Sequence, residues 1–376
     1  MSVQKLVIDG YRAIDHFEYE PNMINVLVGR NGTGKSSILE AIAIGYTAPS
    51  FLSRLRINVL EMVISEKGWE LEHLFHMAKK QKEFKIVIRK NDGVEVNVYA
   101  LYEKCETVPT AIEDLMIQHY ADKRSDEASV FFVEGKLLEI NKLSAEEVAE
   151  FFTKVLQKPI VYGQTILHDQ KSPKPNYFSF AALSAEKKVL TRGSVTTDLI
   201  FYSRWLEEKF DAKSLHLYEF LQFSKKVNRA LGLLKHYAPY LNDLRRDDRT
   251  LWVHFEGQQP LPLSAMGDGF REVVRLILAS SFVPGGVLII DSMGSLHPAL
   301  TDIVAEWLVE EARQEKTQVF ISTQNLELIE KLLRTGGELV NLVRIYRVKD
   351  ELAYEVLSCS EALEELDELR IDLRGP

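Results

Sequence analysis

The sequence predicts an α/β protein whose core is a mainly parallel, helix-covered β-sheet. Strand-like apolar runs alternate with helical stretches over the first 45 residues and again from Leu251 to Leu332. Such alternation is typical of a parallel sheet with crossover helices. Between these regions, the runs EFKIVIRK and VEVNVYAL flank the turn Asn91-Asp92-Gly93, which predicts an antiparallel hairpin. The fold is therefore expected to add an antiparallel β portion and a helical insertion to the parallel sheet.

The first strand–helix unit contains the segment GRNGTGKSS, which fits the phosphate-loop pattern G-x-x-x-x-G-K-[ST] of P-loop NTPases. An apolar run, Ile24–Val28, precedes it and the helix-like SILEAIAI follows. This order lets backbone N–H groups and a helix N-terminus surround a polyphosphate such as ATP. Lys35 is expected to reach the β- and γ-phosphate oxygens, and the Ser36 hydroxyl to ligate Mg²⁺. The flanking strand and helix argue against the alternative, a chance match in a glycine-rich turn. The predicted nucleotide-binding residues of this loop are Gly29, Arg30, Asn31, Gly32, Thr33, Gly34, Lys35, Ser36 and Ser37.

Net charge, cysteine content and the lengths of apolar stretches exclude several classes of protein. The chain has 376 residues, enough for two or three domains, and a formal net charge of −9. No global basic field therefore draws it onto nucleic acid or an anionic membrane, although a local basic face is compatible with this charge. The only two cysteines, Cys105 and Cys359, suggest no disulfide framework. With no signal peptide and no apolar stretch of roughly 20 residues, a cytoplasmic protein without a membrane partner is expected.

Three consecutive segments are expected along the chain. Residues 1–167 form an N-terminal lobe with the phosphate loop and the antiparallel strands, ending in the strand-like IVYGQTIL. Residues 168–249 form a linker, with two prolines near its start, and a helical segment over residues 200–247. Residues 250–376 form a C-terminal lobe that returns to strand–helix alternation.

A phosphate loop needs an acidic partner near Mg²⁺, at the end of a buried strand. The run GVLIID supplies one, because four apolar residues precede Asp291. Asp291 is therefore predicted to be a metal ligand and a catalytic residue, together with Lys35. The alternative is that this carboxylate only caps a following helix.

Five segments, taken in order, resemble the ABC-type ATPase heads of the OLD and RecF-like AAA family. They lie within residues 1–45 and 250–335, and they read KLVIDGYRAIDHF, GRNGTGKSSILEAI, LSAMGDGFREVVRLILAS, LIIDSMGSLHPAL and VFISTQNLELIEKLL. The resemblance implies a two-lobed head that dimerises head to tail around two ATP molecules. The phosphate loop alone is not specific to this family, but the ordered combination is.

The resemblance also implies that MGDGFR is similar to the signature motif, which meets the γ-phosphate on the partner subunit. The residues that carry this role are Ser264, Gly267, Asp268 and Gly269. Gly267 stands where many relatives have serine, so Ser264 is the candidate hydroxyl donor. The alternative is an ordinary glycine-rich helix start, which would itself suit an anion.

Two departures from the family pattern predict slow turnover. Ser292 stands where relatives place the glutamate that orients the attacking water, and Gln324 replaces the γ-phosphate-sensing histidine. A positioned general base typically contributes roughly 10²–10⁴-fold in rate. Phosphate positioning and charge neutralisation by Lys35 and Mg²⁺ are expected to survive.

Two further candidates rest on the resemblance alone. Arg12 is similar to a basic residue near the nucleotide, with a solvated arginine in a turn as the alternative. Gln164 is similar to the Mg²⁺-touching glutamine that joins the lobes of ABC-type heads.

Two functions fit this sequence. The first is an ATPase whose nucleotide-driven homodimerisation controls a partner, by analogy in DNA repair or phage defence. OLD relatives often carry a TOPRIM nuclease domain, and the residues after the last ATPase element are too few for one, so a nuclease partner is expected to be a separate protein acting with DNA. The second is a nucleotide-gated interaction module with negligible hydrolysis. A transporter subunit fits poorly, since the chain has no LSGGQ stretch.

Overall fold

The structure is a computed structural model of the whole chain. It describes residues 2–47, 53–55, 59–65, 71–74, 83–91, 93–101, 130–133, 136–139, 160–167, 176–184, 189–192, 198–203, 207–247, 250–291, 293, 296–349 and 351–374.

The chain forms two compact units that are discontinuous in sequence. The first unit comprises Met1–Gln4, Glu20–Leu39 and Asp198–Pro376. The second unit comprises Lys5–Tyr19 and Glu40–Thr197. The three segments expected from the sequence are consecutive, and their assignment as functional lobes stays a prediction.

A six-stranded sheet forms the core of the first unit, as the strand–helix alternation predicts. Its strands, in order across the sheet, are β11 (Leu199–Ser203), β15 (Val287–Asp291), β16 (Gln318–Ser322), β3 (Ile24–Val28), β17 (Val340–Val348) and β18 (Glu351–Ser358). Neighbours from β11 to β17 are parallel, and β18 returns antiparallel to β17. Every residue of β3, β15 and β16 is buried, which explains why their sequences are continuous apolar runs. The carboxyl ends of these three strands meet at one edge, where ligands bind in open α/β sheets.

Helices and a small sheet complete the first unit. The helices are α1 (Lys35–Thr47, whose last eight residues belong to the second unit), α3 (Glu207–Phe223), α4 (Val227–Tyr237), α5 (Asp268–Ser281), α6 (Pro298–Gln314), α7 (Leu326–Gly336) and α8 (Cys359–Asp367). The small antiparallel sheet consists of β12 (Leu241–Arg246), β13 (Leu251–Phe255) and β14 (Leu261–Pro262). Short 3₁₀ turns lie at Leu263–Ala265 and Gly337–Leu339.

The second unit contains a seven-stranded sheet in which the predicted hairpin is central. The strands are β1 (Val3–Asp9), β2 (His16–Tyr19), β4 (Glu83–Lys90), β5 (Val94–Leu101), β8 (Ile160–Leu167), β9 (Asn176–Ser184) and β10 (Val189–Arg192), in the order β10-β9-β8-β5-β4-β1-β2. A separate hairpin pairs β6 (Val130–Val133) with β7 (Lys136–Glu139), and a short helix, α2, spans Val59–Ser65. β4 and β5 pair antiparallel, and Gly93 has the positive φ, 80°, that such a turn requires. Gly45 of α1 packs against this hairpin, because a Cβ there would lie 2.8 Å from side-chain atoms of both Ile86 and Ile88.

The expectation that residues 200–247 are helical is correct for α3 and α4 but wrong at both ends. β11 begins at Leu199 and pairs with β15, and β12 pairs with β13. Short apolar runs do not distinguish a buried strand from a helix, and only pairing partners resolve them. Residues 168–175 of the predicted loop at 168–176 lie outside the described residues, and Asn176 begins β9. Within the part of the chain that the structure describes, no helix is both long and apolar enough to cross a bilayer.

Candidate nucleotide-binding site

The phosphate loop connects β3 to α1, and its glycines serve different purposes. Gly29 and Gly34 have positive φ angles of 143° and 114°. A Cβ atom on Gly29 would lie 2.1 Å from the backbone oxygen of Ile345, and one on Gly34 would lie 3.1 Å from Cδ1 of Leu352. These two glycines therefore allow β17 and β18 to pack against the loop. Gly32 also has a positive φ, 79°, but a Cβ there would meet nothing within 4 Å.

Lys35 donates hydrogen bonds within its own loop. Its ammonium group lies 2.7 Å from the carbonyl oxygen of Gly29 and 2.8 Å from that of Arg30. Burial lowers the pKa of Lys35 from its ordinary value, and the charge of Asp291 opposes this shift. A phosphate that takes these hydrogen bonds would replace two neutral carbonyl acceptors with a charged one, which forms stronger bonds.

Asp291 lies at the carboxyl end of β15 and is 7% exposed. Its Oδ1 accepts hydrogen bonds from the Ser36 hydroxyl and the Ser322 hydroxyl, each at 3.0 Å. The structure thus brings together Ser36 and Asp291, two of the three residues that were expected from the sequence to contact one metal ion. Ser322 was missed as a member of this group. The signal was its place at the end of the strand that follows β15, since Asp291 and Ser322 are paired across the sheet.

Gln324 follows β16 and is hydrogen-bonded to the phosphate loop. Its Nε2 donates to Oδ1 of Asn31 at 2.8 Å and to the carbonyl oxygen of Gly29 at 3.3 Å. The amide can donate and accept hydrogen bonds but does not take up a proton at neutral pH. The sequence identified Gln324 as a candidate but gave no sign of its contact with Asn31.

The signature-like residues lie at the start of α5, within the first unit. Gly267 is the N-cap of this helix, and no side chain hydrogen-bonds to the cap. Ser264, Gly267 and Asp268 are exposed, and Asp268 forms an ion pair with Arg271. A Cβ on Gly269 would lie 3.1 Å from a leucine side chain of α6, so Gly269 faces the protein interior. The exposed N–H groups of α5 therefore offer an anion a second helix N-terminus.

Three of the predicted site residues lie outside the described part of the first unit. Ser292 lies outside the described residues. Arg12 belongs to the second unit, where it forms an ion pair with the buried carboxylate of Glu40. Gln164 also belongs to the second unit, on β8 opposite Asn97 of β5. The contacts predicted for these residues with nucleotide and Mg²⁺ stay predictions.

Comparison with known proteins finds one family model that spans most of the chain. The family described as "AAA domain, putative AbiEii toxin, Type IV TA system" matches residues 24–330. A protein of Methanocaldococcus jannaschii, MJECL11, is 34% identical over 116 residues, which is 29% of this chain and all of that protein. The DNA replication and repair protein RecF of Shewanella piezotolerans is 34% identical over 119 residues, 31% of this chain. The match covers 32% of that RecF chain, so about a third of the relative's own length is represented.

A solved structure, the SmcHead bound to the C-winged helix domain of ScpA, resembles the whole chain. The two superpose with a TM-score of 0.53 at 12% sequence identity, covering 97% of this chain and 100% of the other. At this identity the likeness concerns the fold alone, and that fold is the two-lobed ABC-type ATPase head.

Proposed function

We propose that this chain binds ATP with Mg²⁺ and hydrolyses it slowly. The chain belongs to the AAA domain family matched over residues 24–330 and is a RecF-like ABC-type ATPase head. Its nucleotide-driven, head-to-tail dimerisation then controls a partner. The observation that supports this proposal most directly is the contact between Ser36, in the phosphate loop, and Asp291, at the end of β15. These two residues are 255 positions apart in sequence, and their hydroxyl and carboxylate oxygens lie 3.0 Å apart.

The donors at this contact fit Mg²⁺. The ion prefers oxygen ligands and is commonly held in proteins by one or two carboxylates plus substrate phosphates. Ser36 and Asp291 would hold it. When bound, Mg²⁺ neutralises charge on the phosphate oxygens. The chain itself contributes the backbone N–H groups of the loop and the Lys35 ammonium, which orient the phosphates.

The rate should be low because no strong base is placed after β16. Gln324 hydrogen-bonds the loop but accepts no proton, and in the sequence Ser292 takes the place of the family's glutamate. Without a positioned base we expect a loss of roughly 10²–10⁴-fold relative to ATPases that have one. Positioning and electrostatic stabilisation remain, and they supply much of the catalysis of phosphoryl transfer.

The test measures ATP affinity by calorimetry and phosphate release with the same protein. Wild type should bind ATP in a Mg²⁺-dependent manner and release phosphate slowly. Lys35→Ala should lose binding, and Asp291→Asn should lose the Mg²⁺ dependence and the turnover, because the amide carries no charge. Asp302→Asn removes a carboxylate of α6 that pairs with Lys331, and it should change neither. Wild type that produces no heat with millimolar ATP would refute the proposal.

The partner and pathway are proposed by analogy with the relatives. The RecF relatives are named DNA replication and repair proteins, which favours DNA as a partner. A separate nuclease partner rests on the resemblance to OLD proteins alone. The family description names a toxin of a Type IV TA system, which favours a defence role instead. Measuring phosphate release with and without DNA separates the two, since stimulation by DNA is expected only under the first.

A second candidate function is a nucleotide-gated interaction module that does not hydrolyse ATP. Gln324 favours it, because an amide that takes up no proton stands where relatives have a histidine. Equal phosphate release by wild type and Lys35→Ala, with tight ATP binding by wild type alone, would identify the module. A wild-type rate clearly above that of Lys35→Ala would exclude it.

A further inference from the structure

A cleft in the first unit takes no part in the function proposed above. It lies between β12 and the turn that joins α3 to α4, and it encloses about 690 Å³. That volume is in the range of small-ligand sites. Most of the residues that line it are polar, and they include Tyr218, Lys225, Asn228, Asp243, Arg245 and Arg246.

The backbone of β12 is not available to an added peptide strand at the middle of this cleft. β12 is an edge strand, since it pairs only with β13. The Tyr218 hydroxyl donates to the carbonyl oxygen of Leu244, and Oδ1 of Asp243 accepts from the N–H group of Leu244 at 2.8 Å. Burial raises the pKa of Tyr218, so this hydroxyl keeps its proton and remains a donor at neutral pH. A ligand of the cleft must therefore be recognised through side chains.

Positive charge in the cleft exceeds the carboxylates that balance it. Nε of Arg245 lies 2.8 Å from Oδ2 of Asp243, and Nη1 of Arg246 pairs with Glu219. Each pair uses one nitrogen of its guanidinium group, so further N–H donors of both groups lie outside the pair. Lys225 forms no ion pair with any residue that the structure describes. These donors suit an anion with several acceptor oxygens, such as a phosphate group.

An exposed aromatic ring lies next to these cations in sequence. Phe223 ends α3, directly after the lining residue Gln222 and two residues before Lys225. It is 85% exposed, more than any other large apolar side chain of the described residues, whereas Tyr218 of the same helix is 2% exposed. Phe223 is therefore not a packing residue. An aromatic ring beside cations is how proteins bind single-stranded nucleic acid, because a base stacks on the ring while the cations hold its phosphate.

We infer that the cleft binds a nucleotide unit, whose base stacks on Phe223 and whose phosphate group is held by Lys225 and Arg245. The Asn228 amide, which makes no hydrogen bond within the described residues, is a further donor to this phosphate. Single-stranded nucleic acid and a free nucleotide both present such a unit. The inference goes beyond the ATP binding proposed above and does not depend on it, because no residue of the phosphate loop lines the cleft.

The test measures binding of fluorescein-labelled oligothymidylate by anisotropy at several salt concentrations, without ATP or Mg²⁺. Phe223→Ala should weaken binding about tenfold and leave its salt dependence unchanged, because stacking is not ionic. Lys225→Ala and Arg245→Ala should each lower the slope of log affinity against log salt concentration by about 0.7, the value for one phosphate contact on a single strand. Competition by unlabelled thymidine monophosphate would show that a free nucleotide suffices, and binding without such competition would assign the cleft to the single strand.

Lys235→Ala and Tyr240→Ala are the matched controls. Both side chains are exposed, in α4 and shortly after it, and neither lines the cleft. They should change neither the affinity nor the salt dependence, and thermal unfolding verifies that each variant is folded.

Three outcomes overturn the inference. Wild type that does not bind oligothymidylate overturns it and leaves the proposed ATP binding intact, since calorimetry with ATP measures that separately. Equal losses in the cleft variants and the controls would mean that the oligonucleotide binds elsewhere. Polyglutamate that competes as well as unlabelled oligothymidylate would mean that the cleft attracts any polyanion and does not recognise a nucleotide.

Discussion

Gly29 combines two requirements that only glycine meets. Its φ is 143°, and the backbone oxygen of Ile345 lies where a Cβ atom would be placed, at 2.1 Å. Gly32 meets only the first, because its φ is 79° and nothing lies within 4 Å of a Cβ there. Gly29 occupies a fixed glycine position of the motif and Gly32 a variable one, and only Gly29 is needed for β17 to approach the loop.

We expect Gly29→Ala to be far more damaging than Gly32→Ala. Backbone strain in a positive-φ conformation costs about 1–2 kcal/mol in either variant. Gly29→Ala adds overpacking against the backbone of β17, which costs about 1–3 kcal/mol more. Urea unfolding of the two variants measures the difference. Equal urea midpoints would show that β17 can shift to accommodate the added Cβ atom, and that the close contact between Gly29 and Ile345 does not require glycine.

At the residue scale, the sequence predicted the parts of the site that follow strand ends. The motif identified Lys35 and Ser36 as candidates, and the end of a buried apolar run identified Asp291. Their roles toward nucleotide and Mg²⁺ stay predictions. Their meeting was foreseeable because carboxyl ends of parallel strands share one edge of a sheet. The contact between Gln324 and Asn31 was not, because it depends on side-chain rotamers that no sequence pattern encodes.

At the scale of elements, a cluster of buried ion pairs connects the start of helix α4 to helix α6. The ammonium of Lys226 lies 3.0 and 2.8 Å from the two carboxylate oxygens of Glu311, and Arg229 approaches the same carboxylate at 3.2 Å. Lys226 is 6% exposed and Glu311 0%. Arg229 also lies over the ring of Trp307, 4.0 Å from its centroid. The two helices are therefore joined by charges whose separation would leave one of them unpaired in the interior.

Burial raises the pKa of Glu311 above its ordinary value of 4.5, and the charge of Lys226 opposes the shift without cancelling it. The folded state then holds the proton more tightly than the unfolded state. The contribution of Glu311 to stability is therefore fully present below pH 4.5 and is lost as pH rises through the raised folded pKa.

Lys226→Met should destabilise the protein by about 3 kcal/mol at neutral pH, because Glu311 then remains buried with one partner fewer. The pKa of Glu311 should rise further, so the loss of stability extends to higher pH. Lys226→Met combined with Glu311→Gln should recover part of the loss and remove this pH dependence, since the buried carboxylate of this cluster is then absent. Urea midpoints across a pH series measure both effects. A double variant no more stable than the single would contradict the account.

Element types were predictable where patterns are long and ambiguous where they are short. α6 and α7 lie in the long region where the sequence predicts strand–helix alternation, and both begin at local signals, with Pro298 at the first position of α6 and Asn325 as the N-cap of α7. β11 was missed because its five residues are a short buried run. Its identity as a strand depends on pairing with β15, nearly 90 residues later, which no local signal contains.

At the scale of the whole molecule, the division into compact units could not be read from the sequence. The first unit is assembled from three separate segments, and the break between units falls inside α1, after Leu39. Composition changes gradually along this helix, and no proline or glycine-rich stretch marks the boundary. Contacts between distant segments define the units, and a single sequence does not report them.

The first unit carries both surfaces that a head-to-tail dimer requires, the phosphate loop and the exposed start of α5. In such a dimer the loop of one subunit and the α5 N-terminus of the other face the same nucleotide, so both must be accessible. Gly267 is exposed, and a Cβ there would meet nothing within 4 Å. A side chain at this position therefore changes the surface without disturbing the subunit, whereas one on Gly269 would contact α6 and alter its packing.

We expect a nonhydrolysable ATP analogue with Mg²⁺ to double the mass of wild type in light scattering, and Gly267→Arg to abolish the doubling. The arginine places bulk at a helix N-terminus where a partner's phosphate would bind, and the side chain would keep that phosphate away from the N–H groups of α5. Affinity of the monomer for nucleotide should be nearly unchanged, because the loop is untouched. Gly232→Arg is the matched control, since Gly232 of α4 is also exposed with nothing within 4 Å of its Cβ position. If the mass of wild type is the same with and without nucleotide, the dimer is contradicted. If both arginine variants lose the mass doubling equally, Gly267 does not lie at the interface.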